Sequence, residues 1–256
     1  MIAINQNRKQ SQIACFCLLL CALLFQACGN KKELREYYFP LKQLKEQAKV
    51  YEYKISMADT SLTIYWYYQT IVQGDSIYLV GNCYDAAFHS LVLMREQQVS
   101  NGMKLQQMIM YGVDKKGLAT KTVATIEGGA VFPYAVTDDK DVFVNVLTYA
   151  DPKDSLITTT LTRNRRFLNK TSYEYKGQKL DAAAFEMKEE QSEQSKKQGG
   201  WTHVYNIQEV YAKNIGLVHS KRSLDNGSNF ETTLVDIYTM QDLEAKFAKH
   251  INQKAQ

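Results

Sequence analysis

The side chains that could do chemistry in this 256-residue chain are scattered rather than grouped. Cys83 and His89 are the nearest approach to a nucleophile and its base, but no third group orients the imidazole, so Cys83 reads as a buried thiol. His89, His203, His219 and His250 form no ligand set; only His203 and His219 could meet, across neighbouring strands. Asp138, Asp139 and Asp141 are the best cation candidate, yet they lack the oxygen spacing and glycine bend of an EF-hand loop and read as a solvated turn. Glu189 and Glu190, ahead of Lys196 and Lys197, read as part of a charged loop. There is no phosphate-cradling glycine loop, cysteine zinc set, HExxH motif or GxSxG elbow. No catalytic residue, metal or cofactor is assigned, and whether the protein is an enzyme stays open.

The densest aromatic feature is Tyr65-Trp66-Tyr67-Tyr68. In a strand, alternate members face opposite sides, so either Tyr65 and Tyr67 or Trp66 and Tyr68 line a concave face. Such a wall either packs a core or receives a chain, a glycan ring or an acyl group. These four are the candidate ligand-facing residues.

The cysteines carry an address instead of a scaffold. Cys15, Cys17, Cys21 and Cys28 crowd the start and only Cys83 comes after them, which removes a disulfide framework. Arg8 and Lys9 precede an uncharged run from Ile13 to Phe25, the pattern of a cleaved signal and shorter than the roughly 20 apolar residues of a membrane span. That run ends Leu24-Phe25-Gln26-Ala27-Cys28-Gly29, which resembles the lipobox of bacterial lipoproteins in its looser Bacteroidetes form. The resemblance implies cleavage after Ala27 and acylation of Cys28 at its thiol and amine, so that the membrane is a partner through this residue. Gly29, where inner-membrane lipoproteins carry Asp, implies the outer membrane, with the periplasmic or surface side left open. Loss of residues 1–27 removes Arg8 and Lys9 and lowers the formal charge from +4 to +2, too little for the concentrated basic footprint that nucleic acid requires.

The elements that must position these residues are mostly strands. No Pro-, Gly- or Ser-rich linker divides the mature chain, so residues 28–38 are expected to form a lipid-anchored tether and 39–256 a single domain. Tyr51, Tyr53 and Ile55 alternate with Glu52, Lys54 and Ser56, and similar runs recur to Phe230–Tyr238, separated by turn clusters such as Gly74-Asp75 and Asp151-Pro152-Lys153-Asp154. Between Leu180 and Gln198 the pattern is ambiguous; a strand to about Lys188 and a polar loop to Gly200 is the preferred reading. Helical turns are expected at Leu41–Ala48, and a helix at Thr239–His250 with Thr239 as its cap and Asp242 three residues on. The fold class is therefore mainly β: a large curved antiparallel sheet, half-barrel-like, with few short helices.

Two segments carry a further resemblance. Tyr38-Phe39-Pro40-Leu41-Lys42 leading into Val50-Tyr51-Glu52-Tyr53, and Glu209-Val210-Tyr211-Ala212-Lys213-Asn214-Ile215-Gly216-Leu217-Val218, are similar to segments of uncharacterised curved-sheet proteins related to the lipoprotein-carrier and outer-membrane-receptor fold. The resemblance implies an apolar concavity. The expectation is a non-enzymatic cell-envelope lipoprotein that binds an apolar ligand or an envelope protein; an envelope hydrolase and a surface adhesion or assembly component are the alternatives.

Overall fold

The computed structural model describes residues 31–137, 140–195, 197, 199–224 and 227–254, with 249–254 described by their backbone alone. By its internal contacts the chain falls into two units, Met1–Lys32 and Glu33–Gln256, of which the second is the β domain. The signal segment 1–27, Cys28, and the aspartates 138 and 139 lie outside the described residues.

Strands β1 (Lys49–Met57), β2 (Thr60–Gln73), β3 (Ser76–Tyr84), β4 (Ser90–Val99) and β5 (Gly102–Val113) form an antiparallel meander. Three short strands come next: β6 (Ala119–Val123), β7 (Thr125–Glu127) and β8 (Ala130–Pro133). A second meander comprises β9 (Val142–Ala150), β10 (Ile157–Tyr175), β11 (Gln178–Ser195), β12 (Gly199–Ala212), β13 (Gly216–Leu224) and β14 (Asn229–Tyr238). Strand β14 returns to β1, with Leu234 opposite Tyr53 and Ile237 opposite Tyr51, and unites everything in one 14-stranded antiparallel sheet.

The ends of that sheet are nearly joined. Only Ala124 separates β6 from β7, yet β6 pairs with β5 (Ile109 opposite Val123) and β7 with β9 (Val146 opposite Glu127). Strand β8 then comes back to β5, with Met103 opposite Phe132. One run of chain touches both edges, so the sheet rolls into a nearly closed barrel and leaves little unpaired backbone at an edge. The curved antiparallel sheet expected from the sequence is present, rolled further than half a barrel.

Two expectations need correction. Strands β10 and β11 are single elements of 19 and 18 residues, whereas the alternation in the sequence fades after Leu161 in the first and predicts a strand only to about Lys188 in the second. The segment expected to loop from Glu189 to Gly200 continues β11 to Ser195 and enters β12 at Gly199. The cause is charge on the inner face: Arg163, Arg165 and Glu189 occupy inward positions and hide the apolar alternation that marks a half-buried strand.

The last residues of the segment expected as a tether, 34–38, pack with Phe39, where the domain is expected to begin. Leu34, Tyr37, Tyr38 and Phe39 are buried in the main core, and the Leu34 N–H donates to the Tyr134 carbonyl at 2.8 Å. With α1 (Leu41–Glu46) they plug one end of the barrel against Tyr51, Tyr68, Phe132 and Val218. Phe39 lies 4.4 Å from Tyr68 between ring centroids, and a Cβ on Gly216 (φ +101°) would stand 2.6 Å from the Phe39 ring. That residue must be glycine both for the approach and for its backbone angle.

Helix α2 (Met240–Lys254) packs outside the barrel, setting Leu243 and Phe247 over Val50 and Tyr65. Its expected cap is present: Thr239 Oγ1 accepts the Asp242 N–H at 3.1 Å while the Asp242 carboxylate accepts the Thr239 N–H at 3.2 Å.

Candidate ligand site in the barrel lumen

The aromatic quartet is divided by the sheet. Trp66 and Tyr68 point inward and stack at 5.4 Å beside Gly81, where a Cβ would meet both rings. Tyr65 and Tyr67 point outward beneath α2. The four share no wall, and none lines the lumen cavity, the cleft beside the plug or the groove on the outer face. Cys83 is buried, and burial first, then Asp85, pushes its thiol up to about 12, so it is protonated and inert at neutral pH. His89 is instead held by Asp85, its Nδ1 2.9 Å from the carboxylate on an exposed turn. His219 stands opposite Val210, far along β12 from His203, so the two do not meet. Among the described residues no group of three or more His, Cys, Asp or Glu could hold a metal ion.

The residues that do converge are charged and lie inside the barrel. Pairing across six strands sets Arg165, Met187, Ile207, Arg222, Phe230 and Met57 in one lateral row. The row on one side of it, toward the plug, runs Phe167, Phe185, Glu209, Ser220, Thr232, Ile55, and on the other side Arg163, Glu189 and Tyr205 succeed one another. Phe167 and Phe185 pack in the same core as the plug, so all three rows face the lumen.

Two ion-pair sets are built on these rows. Arg165 Nη2 donates to Glu209 at 2.6 Å, and Tyr211 closes the group with its hydroxyl 3.3 Å from the same carboxylate. Burial works against the Arg165 charge, but Glu209 and Tyr211 outweigh it and push its pKa up. In the second set, Arg163 Nε donates to one oxygen of the fully buried Glu189 at 2.5 Å and Arg222 donates to the other. The Arg222 guanidinium lies 3.6 Å above the Tyr205 ring, which fixes its plane.

These groups line a cavity of about 420 Å³, whose remaining wall includes Ile55, Met187, Ile207 and Phe230. A cleft of about 490 Å³ runs beside the plug, and a groove of about 680 Å³ crosses the outer face near Asn164 and Lys188. The outer groove carries only the half-exposed Arg166–Glu186 pair, whereas the lumen cavity joins apolar walls to ion pairs whose carboxylates are buried, the combination expected of a small-molecule site. Glu189 falls where the sequence pattern predicts a loop; the one signal of its inward position is parity, since Arg163, Arg165 and Phe167 share it on β10, and Phe185, Met187 and Glu189 on β11.

No protein-family model matches the chain, and no curated protein matches it. Solved structures do. A protein from Bacteroides fragilis, described as a candidate exported protein with a YmcC-like fold, superposes with a TM-score of 0.54 at 14% identity, over 79% of this chain and 99% of its own. The barrel is similar to the YmcC-like fold. A candidate lipoprotein from Parabacteroides distasonis gives a TM-score of 0.53 at 12% identity, over 80% of this chain and all of its own. The hypothetical lipoprotein YmcC of Escherichia coli gives 0.34 at 8% identity.

In this YmcC-like barrel the plug and the lumen meet at Glu96, to which the Tyr38 hydroxyl donates. Burial raises the Glu96 carboxyl from 4.5 to about 7, against the opposing pull of Tyr38 and Arg165. The folded protein therefore holds a proton that the unfolded chain releases. Stability contributed by this group is fully present below pH 4.5 and is lost as pH rises through about 7. The window corresponds to about 3 kcal/mol. Glu96→Gln should remove that slope, measured as guanidinium midpoints at about pH 5 and about pH 8; a slope equal to the parent's would show that Glu96 does not carry it.

Proposed function

We propose that this protein is a non-enzymatic cell-envelope lipoprotein whose barrel acts as a cup for a small ligand with an apolar part. The reading rests on one observation before any other: a barrel plugged at one end by Leu34–Glu46 that keeps a cavity of about 420 Å³ inside its wall. The likeness in fold to proteins described as exported or as lipoproteins supports the address, as does the lipobox-like sequence at Cys28. In this reading residues 1–27 are the removed signal and Cys28 carries the acyl chains into the outer membrane. Each buried methylene contributes about 0.8 kcal/mol, so more than one chain holds the protein stably at the bilayer.

The ligand half is tested by native mass spectrometry of protein extracted gently from envelopes, where a retained small molecule is the expected result. Reproducible recovery of bare protein would count against a cup. For the address, Cys28→Ser should abolish lipid labelling and retention of the signal-cleaved form in the membrane. Labelling that persists in this variant would overturn the assignment.

A further inference from the structure

We infer that the lumen cavity recognises an amphiphilic carboxylate, its head on Arg163 and Arg222 and its apolar body along Ile55, Met187, Ile207 and Phe230. This rests on the cup reading and names the ligand class. Arg163 and Arg222 share the single carboxylate of Glu189, so the triad carries one net positive charge. Arg165 and Glu209 neutralise each other deeper in the lumen. Glu193, nearer the rim on the same face, takes its hydrogen bond from Gln191 and does not line the cavity.

A guanidinium offers five N–H donors in a planar fork. Arg163 spends its Nε on Glu189, and among the described residues its two terminal amino groups make no further hydrogen bond. Arg222 spends one Nη and is held flat on Tyr205. The Arg163 and Arg222 side chains keep 32% and 35% of their surface exposed while Glu189 keeps 2%, so the anion already present is hidden; the Arg222 Nε is buried without a partner, which leaves the terminal amino groups as the donors open to a ligand. Paired forks of this kind match a carboxylate, which brings one negative charge to one positive; a phosphate monoester would bring nearly two. Ser220 and Thr232 also line the cavity, but Ile55, Met187, Ile207 and Phe230 beside the forks offer apolar surface that a purely polar anion would leave uncovered.

The test titrates decanoate, labelled at its carboxyl carbon, into the full chain held in lipid nanodiscs, with empty discs as the blank and the bound carboxyl resonance as readout. Wild type should show saturable binding that decanol displaces at least about tenfold less well than decanoate itself, a difference typical of one charge-assisted hydrogen-bonded head. Arg222→Gln should weaken decanoate by about tenfold or more and leave decanol unchanged. Glu189→Gln, which frees donors on both arginines, should tighten decanoate; a triad with only a structural role would lose stability with no gain in binding. Decanol binding as tightly as decanoate in wild type would overturn the carboxylate inference and leave the cup reading standing. Absence of saturable binding for either probe would overturn both.

Discussion

Arg165→Met is expected to cost about 3–5 kcal/mol of stability, because it strands the Glu209 carboxylate inside the barrel. Arg165 and Glu209 each retain only 10% side-chain exposure, so water compensates little for a lost partner. Glu96 also faces Arg165 and loses an attraction with it. For a domain whose whole stability is on the order of 5–15 kcal/mol, such a loss should be visible as a large fall in the guanidinium midpoint. The companion variant decides the mechanism. Arg165→Met combined with Glu209→Leu should recover most of the loss, since replacing both members of a buried ion pair with apolar groups is often neutral or better. A double variant as unstable as the single one would mean that packing of the arginine stem, and not charge, is what the lumen needs.

Phe39→Ala carries the second large effect, about 3–5 kcal/mol for removing a buried phenyl ring. The ring touches Tyr38, Tyr51 and Tyr68, with centroids 5.3, 5.6 and 4.4 Å away, so its loss opens a void shared by the plug and by two wall strands. Gly216→Ala should be destabilising for a related reason: the new methyl would collide with that ring and the position has φ +101°. In the double variant Phe39→Ala with Gly216→Ala the collision is gone, so its cost should fall clearly below the sum of the two singles. Chemical denaturation of the four proteins measures this. Additive costs would show that the ring and the Gly216 backbone are not in contact in solution.

The sequence made legible whatever depended on local alternation and capping. Tyr51 and Tyr53 on β1, the hairpin at Gly74-Asp75, and Thr239 with Asp242 at the start of α2 all stand where pattern and chemistry placed them. The left-handed turn at Asn214 (φ 60°) also fits the tolerance of asparagine for that region. What stayed hidden depended on partners far along the chain. Glu189 is a buried acceptor only because β10 brings Arg163 from one side and β13 brings Arg222 from the other. The aromatic quartet shows the other side of this: density along the chain says nothing about which face a strand presents, and here its members fill two separate cores.

The pairing of β14 with β1 has a consequence for the order of events in folding. The strand made first in the sheet waits for the one made last, and the plug residues that precede both find their seat only when Asn214 arrives to donate its N–H to the Glu36 carbonyl and Gly216 to lie against the Phe39 ring. Contacts of such sequence separation form slowly and offer nothing to an incomplete chain. A chain truncated before Asn229 should therefore fail to fold at all instead of folding with a gap, and its exposed aromatic strands would be prone to associate with one another.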